Sequence, residues 1–147
     1  APDFKASVVG GGYEPGASIE LKHLKGQTVV LYFYPKDNTP GCTTQACALR
    51  DGWERVSTKA LLFGVSGDSA ASHEKFIRRH DLPFPLIVDE DHAIANAYGV
   101  WVEKSLYGRK YFGTERTTFI IGADGRLRSI LPRVKPDAHL GQLLEQL

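Results

Sequence analysis

The sequence lacks the features that mark several large classes of protein. No apolar stretch approaches the roughly 18 residues that a membrane-spanning helix needs, and no run of like charges indicates a nucleic-acid-binding tail. The formal net charge is +1, so the composition gives no reason to expect a nucleic-acid or acidic-lipid partner. Internal repeats, linkers and low-complexity tracts are absent as well. These absences leave one globular domain over residues 1–147, long enough to bury a single core.

Cysteine is scarce and methionine is absent, so the reactive sulfur chemistry of this chain rests on Cys42 and Cys47. Two cysteines do not make the disulfide framework of a small secreted domain. No signal-peptide pattern is present, so we expect a cytoplasmic protein, in which a cysteine pair indicates redox chemistry or metal binding. The C-x4-C spacing lacks the second ligand pair of structural zinc motifs, and His23, His92 and His139 are scattered. We therefore expect neither a metal nor any other cofactor.

The hydrophobic pattern predicts an α/β fold. Short apolar runs bounded by turn residues predict strands at 18–21, 28–34, 60–66, 86–88, 117–121 and 127–131. Apolar residues at helical spacing predict helices at 40–56, 69–80, 94–98 and 136–147. A parallel crossover in the first half and an antiparallel hairpin near the end indicate a thioredoxin-like fold with a central mixed β-sheet flanked by helices. Strand 28–34 is apolar on both faces and should be central.

The segment that follows strand 28–34 places Cys42 at the start of a helix. Pro40 disfavours the helical conformation for Thr39 and is itself suited to the first helical position. Thr39 is therefore the predicted N-cap, with its hydroxyl near Cys42, and Cys42 is the third helical residue. Unpaired N–H groups and the helix dipole favour an anion at that position. This placement favours a thiolate, which is the nucleophilic form of cysteine.

Cys47 lies five residues further along the same predicted helix. In an intact helix the two Cα atoms are roughly 8–9 Å apart, whereas a disulfide requires less than about 7 Å. The pair can bridge only if the first turns unwind, which the weak helix formers Gly41, Thr43 and Thr44 make plausible. The alternative for Cys47 is a small core residue on the helix.

The string from Pro35 to Cys42 resembles the peroxiredoxin active-site pattern P-x3-T-x2-C. Extended to Cys47, it resembles the peroxiredoxin Q, or bacterioferritin comigratory protein, subfamily. Further similar strings follow in order along nearly the whole chain: APDF, GVSGDSAASHEKF, LPFPLIVDE, YGVW and ERTTFIIGADG.

This resemblance implies an antioxidant thiol peroxidase that reduces hydrogen peroxide and organic hydroperoxides. Cys42 would form a sulfenic acid, Cys47 would resolve it as an intrachain disulfide, and thioredoxin or a similar dithiol would recycle the enzyme. Thr39 would contact the substrate and Pro35 would shield one side of the thiolate. Arg116 matches the family pattern R-x-T-F and would stabilise the thiolate and hold the peroxide oxygens. A resolving thiol in the same chain suggests a monomer.

Several features leave alternatives open. Asp37 either orients Arg116 or caps a turn. Gln45 stands where the subfamily often has glutamate, which removes one carboxylate near the helix start. His73 and His80 are expected to be surface groups on a polar helix. Phe33, Phe84 and Trp101 either belong to the core or line an apolar mouth near the thiolate.

Two other activities would use the same cysteines. One is thiol–disulfide exchange of the thioredoxin type, against which the C-x4-C spacing argues, because reversible bridging is easier in C-x-x-C. The other is a non-catalytic redox sensor that passes its oxidation state to a partner protein. Steady-state turnover of peroxide with a reductant distinguishes the expected peroxidase from both.

Overall fold

The computed structural model describes residues 1–147 as a seven-stranded mixed sheet, a separate two-stranded hairpin and five α-helices. The strands are β1 (Lys5–Val9), β2 (Ser18–Glu20), β3 (Val29–Phe33), β4 (Leu61–Ser66), β5 (Leu86–Val88), β6 (Trp101–Leu106), β7 (Arg109–Thr114), β8 (Thr117–Ile121) and β9 (Leu127–Leu131). The α-helices are α1 (Pro40–Asp51), α2 (Trp53–Ser57), α3 (Ala70–His80), α4 (Ala93–Ala97) and α5 (His139–Gln146), and a 3-10 helix covers Leu21–Leu24.

The sheet has the thioredoxin-like arrangement that the sequence pattern predicts. Its strand order is β2-β1-β5-β4-β3-β8-β9, with β3, β4 and β5 parallel and β8 antiparallel to β3. Strand β3 lies between β4 and β8, so its predicted central position is confirmed. The predicted strands 86–88, 117–121 and 127–131 coincide with β5, β8 and β9.

Strand β3 separates two hydrophobic cores, because its successive side chains point to opposite faces of the sheet. Every residue of β3 is buried. Val29, Leu31 and Phe33 join one core, which includes residues of α4. Val30 and Tyr32 join the other, which is built with residues of α1, α3 and α5 and also contains Cys42. The sheet therefore fixes the face on which the sulfur of Cys42 lies.

The predicted helix 40–56 is not continuous. It breaks at Gly52, which separates α1 from α2. A β-carbon at Gly52 would lie 2.6 Å from Leu140 Cδ2 of α5, so a larger residue here would force the Leu140 side chain to move. The C-terminal helix is also shorter than predicted, since α5 begins at His139 rather than Pro136.

The sequence pattern did not indicate strand β1 or the hairpin of β6 and β7. The hairpin turns at Tyr107 and Gly108, which both have positive φ angles of 50° and 77°. Tyrosine seldom adopts this conformation, so the usual glycine or asparagine signal of a two-residue turn was incomplete. None of the helices has the combined length and apolarity required to cross a lipid bilayer.

Candidate active site

Helix α1 begins at the predicted residues, but the side chain of its N-cap residue does not make the predicted capping hydrogen bond. Thr39 is the N-cap residue, with extended φ and ψ of −89° and 154°, and Pro40 is the first helical residue. The Thr39 hydroxyl does not cap the helix, and instead donates to the Lys36 carbonyl oxygen at 2.8 Å. The carbonyl oxygen of Thr39 accepts from Thr43 N. The amide groups of Gly41 and Cys42 consequently have no acceptor within the chain.

Cys42 is buried, with 2% of its surface exposed, but a cation reaches its sulfur. Nη2 of Arg116 lies 3.5 Å from Cys42 Sγ. The approach depends on Gly41, since a β-carbon there would lie 3.2 Å from the same nitrogen. Cys47 is half-buried on the same helix, and both cysteines are free thiols.

Arg116 carries a charge that no carboxylate neutralises. It lies between β7 and β8, and its carbonyl oxygen accepts from Val134 N at 2.8 Å. Its Nη1 donates to Gln45 Oε1 at 2.6 Å, and it takes part in none of the six ion pairs of the chain. The two side chains at its guanidinium are thus a neutral amide and the thiol of Cys42. A thiolate at Cys42 would supply the missing negative charge.

Behind Arg116 lies a buried chain of polar groups. Gln45, His139 and Thr118 are all fully buried. Gln45 Nε2 is 2.9 Å from His139 Nδ1, and His139 Nε2 is 2.8 Å from Thr118 Oγ1. Burial, with a smaller contribution from the charge of Arg116, lowers the pKa of His139 to about 4. The ring is therefore neutral near pH 7.

The lowered pKa of His139 makes the stability of the fold depend on pH. The unfolded ring takes up a proton near pH 6.5, whereas the folded ring does so only near pH 4. The stabilisation is therefore complete above pH 6.5 and is lost as the pH falls towards 4. We expect this residue alone to lower the free energy of unfolding by about 3 kcal/mol between pH 7 and pH 4.

Urea unfolding of the wild type and of His139→Asn at both pH values measures this contribution. Asparagine does not titrate, so the loss of stability between the two pH values should be about 3 kcal/mol smaller in the variant. Equal losses in the two proteins would show that His139 is not buried in its neutral form.

A second buried network holds the loop that precedes α1, and it corrects the prediction for His73. His73 is fully buried rather than on the surface, and its Nδ1 lies 2.7 Å from Asp37 Oδ2. His73 Nε2 is 2.9 Å from the Ile87 carbonyl, which can only accept, so this nitrogen carries a proton. Asp37 also accepts from Tyr34 and Ser72 at 2.6 and 2.9 Å. These contacts form a buried hydrogen-bond network around the Asp37 carboxyl group.

Asp37 therefore neither orients Arg116 nor simply caps a turn. It ties the loop between β3 and α1 to α3. Its backbone N–H donates to Asp68 Oδ2 at 2.9 Å, and the same oxygen accepts from Ser66 Oγ. The carboxylate and imidazole groups of Asp37, Asp68 and His73 lie within 4.8 Å of one another, but each is engaged in these internal hydrogen bonds.

The remaining residues that the sequence singled out are exposed, buried in the cores, or half-buried against aromatic rings. Pro35 is exposed at the end of β3. Phe33 and Phe84 are buried in the two cores, so the core interpretation is confirmed for both. Trp101 is half-buried and stacks on the ring of His92 with the ring centres 3.7 Å apart. His80 is half-buried against Phe76.

Sequence reasoning missed the polar chain behind Arg116. In the sequence Gln45 stands out only as a departure from a family pattern, although its spacing from Cys42 places both residues on one side of a helix. The contact between His139 and Gln45 has no local signal in the sequence, because the two residues are 94 positions apart. Thr118 lies within an apolar strand pattern, which gives no sign of its contact with His139.

The chain is similar to known proteins along most of its length. The AhpC/TSA family matches residues 1–130. The chain is 43% identical over 135 residues to a putative peroxiredoxin bcp of Coxiella burnetii, which covers 91% of this chain and 89% of that protein. It is 46% identical over 133 residues to peroxiredoxin Bcp of Bacillus subtilis, covering 90% of this chain and 85% of the relative. A solved structure of the Xanthomonas campestris bacterioferritin comigratory protein superposes with a TM-score of 0.88 at 33% identity, covering 97% of this chain and 88% of that one.

Proposed function

Because the chain belongs to the AhpC/TSA family and is a thiol peroxidase of its peroxiredoxin Q and Bcp group, we propose that Cys42 is the nucleophile and that Cys47 resolves its oxidised form. The observation that carries this proposal is the contact between Cys42 Sγ and the otherwise uncompensated guanidinium of Arg116, at 3.5 Å. A cation beside a cysteine at a helix N-terminus favours the thiolate. Cys47 has no such cation among its hydrogen-bonding partners.

In the proposed first step, the Cys42 thiolate attacks the terminal oxygen of a hydroperoxide. An S–O bond forms, the O–O bond breaks, and the leaving oxygen takes up a proton to give water or an alcohol. Cys42 is oxidised to a sulfenic acid while the peroxide is reduced by two electrons. Arg116 and the free amides of Gly41 and Cys42 stabilise the negative charge that develops across the breaking bond.

Thr39 and Pro35 have supporting roles in this proposal. The Thr39 hydroxyl donates to Lys36 O, so its lone pairs remain able to accept the proton of a bound hydroperoxide. Pro35 precedes this loop and would shield one side of the sulfur from water. Reduction of both hydrogen peroxide and organic hydroperoxides is proposed, and the Xanthomonas relative supports the second class, since its structures concern alkyl peroxide reduction.

In the proposed second step, Cys47 attacks the sulfenic acid, releasing water and forming an intrachain disulfide. Both cysteines lie on the unbroken helix α1, so their Cα atoms are roughly 8–9 Å apart and the first turns have to unwind. Unwinding also separates Gln45 from Arg116 and His139, because Gln45 lies between the cysteines. An external dithiol, thioredoxin or a similar protein of the cytoplasm, would then reduce the disulfide of a monomeric enzyme.

Mass spectrometry of the reduced protein after one equivalent of peroxide tests this sequence. We expect the wild type to lose two hydrogen atoms by forming the Cys42–Cys47 disulfide, which peptide mapping locates, because the peroxide takes up the two electrons. Cys47→Ser should instead gain one oxygen at Cys42, at an undiminished rate, because the first step does not use Cys47. Its turnover with thioredoxin should fall to a few per cent or less of the wild-type rate.

Full turnover by Cys47→Ser would show that another thiol resolves Cys42. Oxidation of Cys47 rather than Cys42 in the first step would contradict the assignment of the nucleophile. The Cys42→Ser variant serves as the matched control, since it should acquire neither modification.

A further inference from the structure

We propose that His139 is a positioning residue that fixes the orientation of the Gln45 amide and, through it, the guanidinium of Arg116 at Cys42. This inference rests on the proposed role of Arg116 and adds to it a residue that lies at the start of the C-terminal helix α5. The argument depends on which atoms can donate and which can accept a hydrogen bond along the buried chain described above.

The direction of every hydrogen bond in this chain follows from Arg116. A guanidinium has donors only, so Gln45 must present its oxygen to Nη1, at 2.6 Å. The amide nitrogen of Gln45 then faces His139 Nδ1 at 2.9 Å and donates to it. Nδ1 must therefore carry no proton. In a neutral ring the proton is on Nε2, which donates to Thr118 Oγ1 at 2.8 Å.

Without an acceptor at His139, only Arg116 favours this orientation of the Gln45 amide, and the amide NH2 group is left without a buried partner. The oxygen and nitrogen of an amide occupy nearly the same space, so a half-turn of the side chain would present the NH2 group to Arg116. Two donors would then face each other, and the guanidinium would move away from the sulfur. Gln45 and His139 both have 0% of their surface exposed, so in the native packing no solvent competes with the imidazole for the Gln45 amide.

Gln45 makes this requirement stricter than a glutamate would. A carboxylate accepts at both oxygens and binds arginine in either orientation, whereas an amide binds it in only one. This chain combines glutamine at position 45 with a histidine whose buried ring is neutral near pH 7. The low pKa of His139, which is about 4, agrees with a ring that accepts rather than donates at Nδ1.

The first test reads the proton directly by 15N NMR of the histidine rings in the reduced, full-length protein at pH 7. We expect His139 to be the neutral tautomer with its proton on Nε2, and the signals that disappear in His139→Asn assign it. A proton on Nδ1, or a charged ring, would overturn the proposal. Because this result does not involve peroxide, it is independent of whether Cys42 is the nucleophile.

The second test uses two matched variants in stopped-flow oxidation by peroxide. Asparagine places an amide oxygen where Nδ1 lies and can still accept from Gln45, whereas glutamine extends its amide towards Thr118 and leaves the Nδ1 position empty. We expect His139→Gln to slow Cys42 oxidation about tenfold and His139→Asn to recover the rate to within about threefold of the wild type. Equal rates in the two variants would contradict a positioning role, since a merely structural role would not distinguish them.

A third variant keeps the proposal testable if His139→Gln does not fold. In Gln45→Glu the carboxylate requires a donor from His139, so the 15N spectrum should show a proton on Nδ1. A proton that remains on Nε2 alone would mean that residue 45 does not determine the state of the ring. Failure of the proposed function would appear differently, as an Arg116 variant that oxidises at the wild-type rate while the tautomer results hold.

Discussion

Replacing Cys42 by serine is expected to abolish peroxide consumption, with a loss of at least about a thousandfold in the steady-state rate. A serine hydroxyl beside Arg116 remains protonated at neutral pH, and it cannot accept an oxygen atom from a peroxide as sulfur does. The substitution is otherwise conservative, because Cys42 is a small residue of one core and serine is nearly the same size. Peroxide loss with thioredoxin, thioredoxin reductase and NADPH measures the effect.

The control for this variant is Cys47→Ser, which makes the same chemical change five residues away. It should lose cycling but keep one rapid oxidation of Cys42. Urea unfolding should show that both variants are folded. If Cys42→Ser retains normal turnover, Cys42 is not the nucleophile and the catalytic role proposed for Arg116 fails with it, whereas the tautomer of His139 is tested independently.

Replacing Arg116 by methionine is expected to slow the oxidation of Cys42 by about 100-fold or more. Methionine keeps much of the length and apolar stem of the side chain but removes the charge 3.5 Å from the sulfur and the donors to the transferring oxygen. Arg116→Lys should recover only part of the rate. A lysine keeps the charge, but its single ammonium cannot hold both the sulfur and Gln45 as the guanidinium does.

Stopped-flow measurement of the second-order rate constant with hydrogen peroxide gives the effect of each variant. Arg109→Met is the matched control, since Arg109 lies exposed at the start of β7 and makes no ion pair. It should oxidise at the wild-type rate, which excludes an effect of net charge alone. A wild-type rate in Arg116→Met would show that the guanidinium beside Cys42 does not speed its oxidation, and the proposed function would lose the argument on which it depends.

Local features of the sequence were enough to predict much of the fold and the start of the site. The apolar run of β3 and the strands β8 and β9 were recognisable because their pattern and bounding turns are local. Thr39 and Pro40 fixed the beginning of α1, so Cys42 was correctly expected in its first turn. The bond of the Thr39 hydroxyl was not foreseen, because a hydroxyl can turn towards several acceptors.

Long-range packing was needed for the rest. Gly52, where the predicted helix breaks, packs closely against Leu140 from α5, and the buried ring of His73 contacts Asp37 from a different loop. On a polar helix a histidine gives no sign that a carboxylate will approach it. The hairpin of β6 and β7 was missed since its turn places tyrosine in a conformation that the residue seldom adopts.

The sequence by itself determined that the only sulfur atoms of the chain lie five residues apart on one helix and that the first of them is at the helix start. Those facts follow from neighbouring residues, whose conformational preferences act over a single turn. Only the tertiary structure decided which groups surround that sulfur. These groups come from distant parts of the chain: Gln45 from α1, Thr118 from β8, His139 from α5, and Arg116 from the loop before β8. Their hydrogen bonds form because the sheet and α5 exclude water and leave each polar group no other partner.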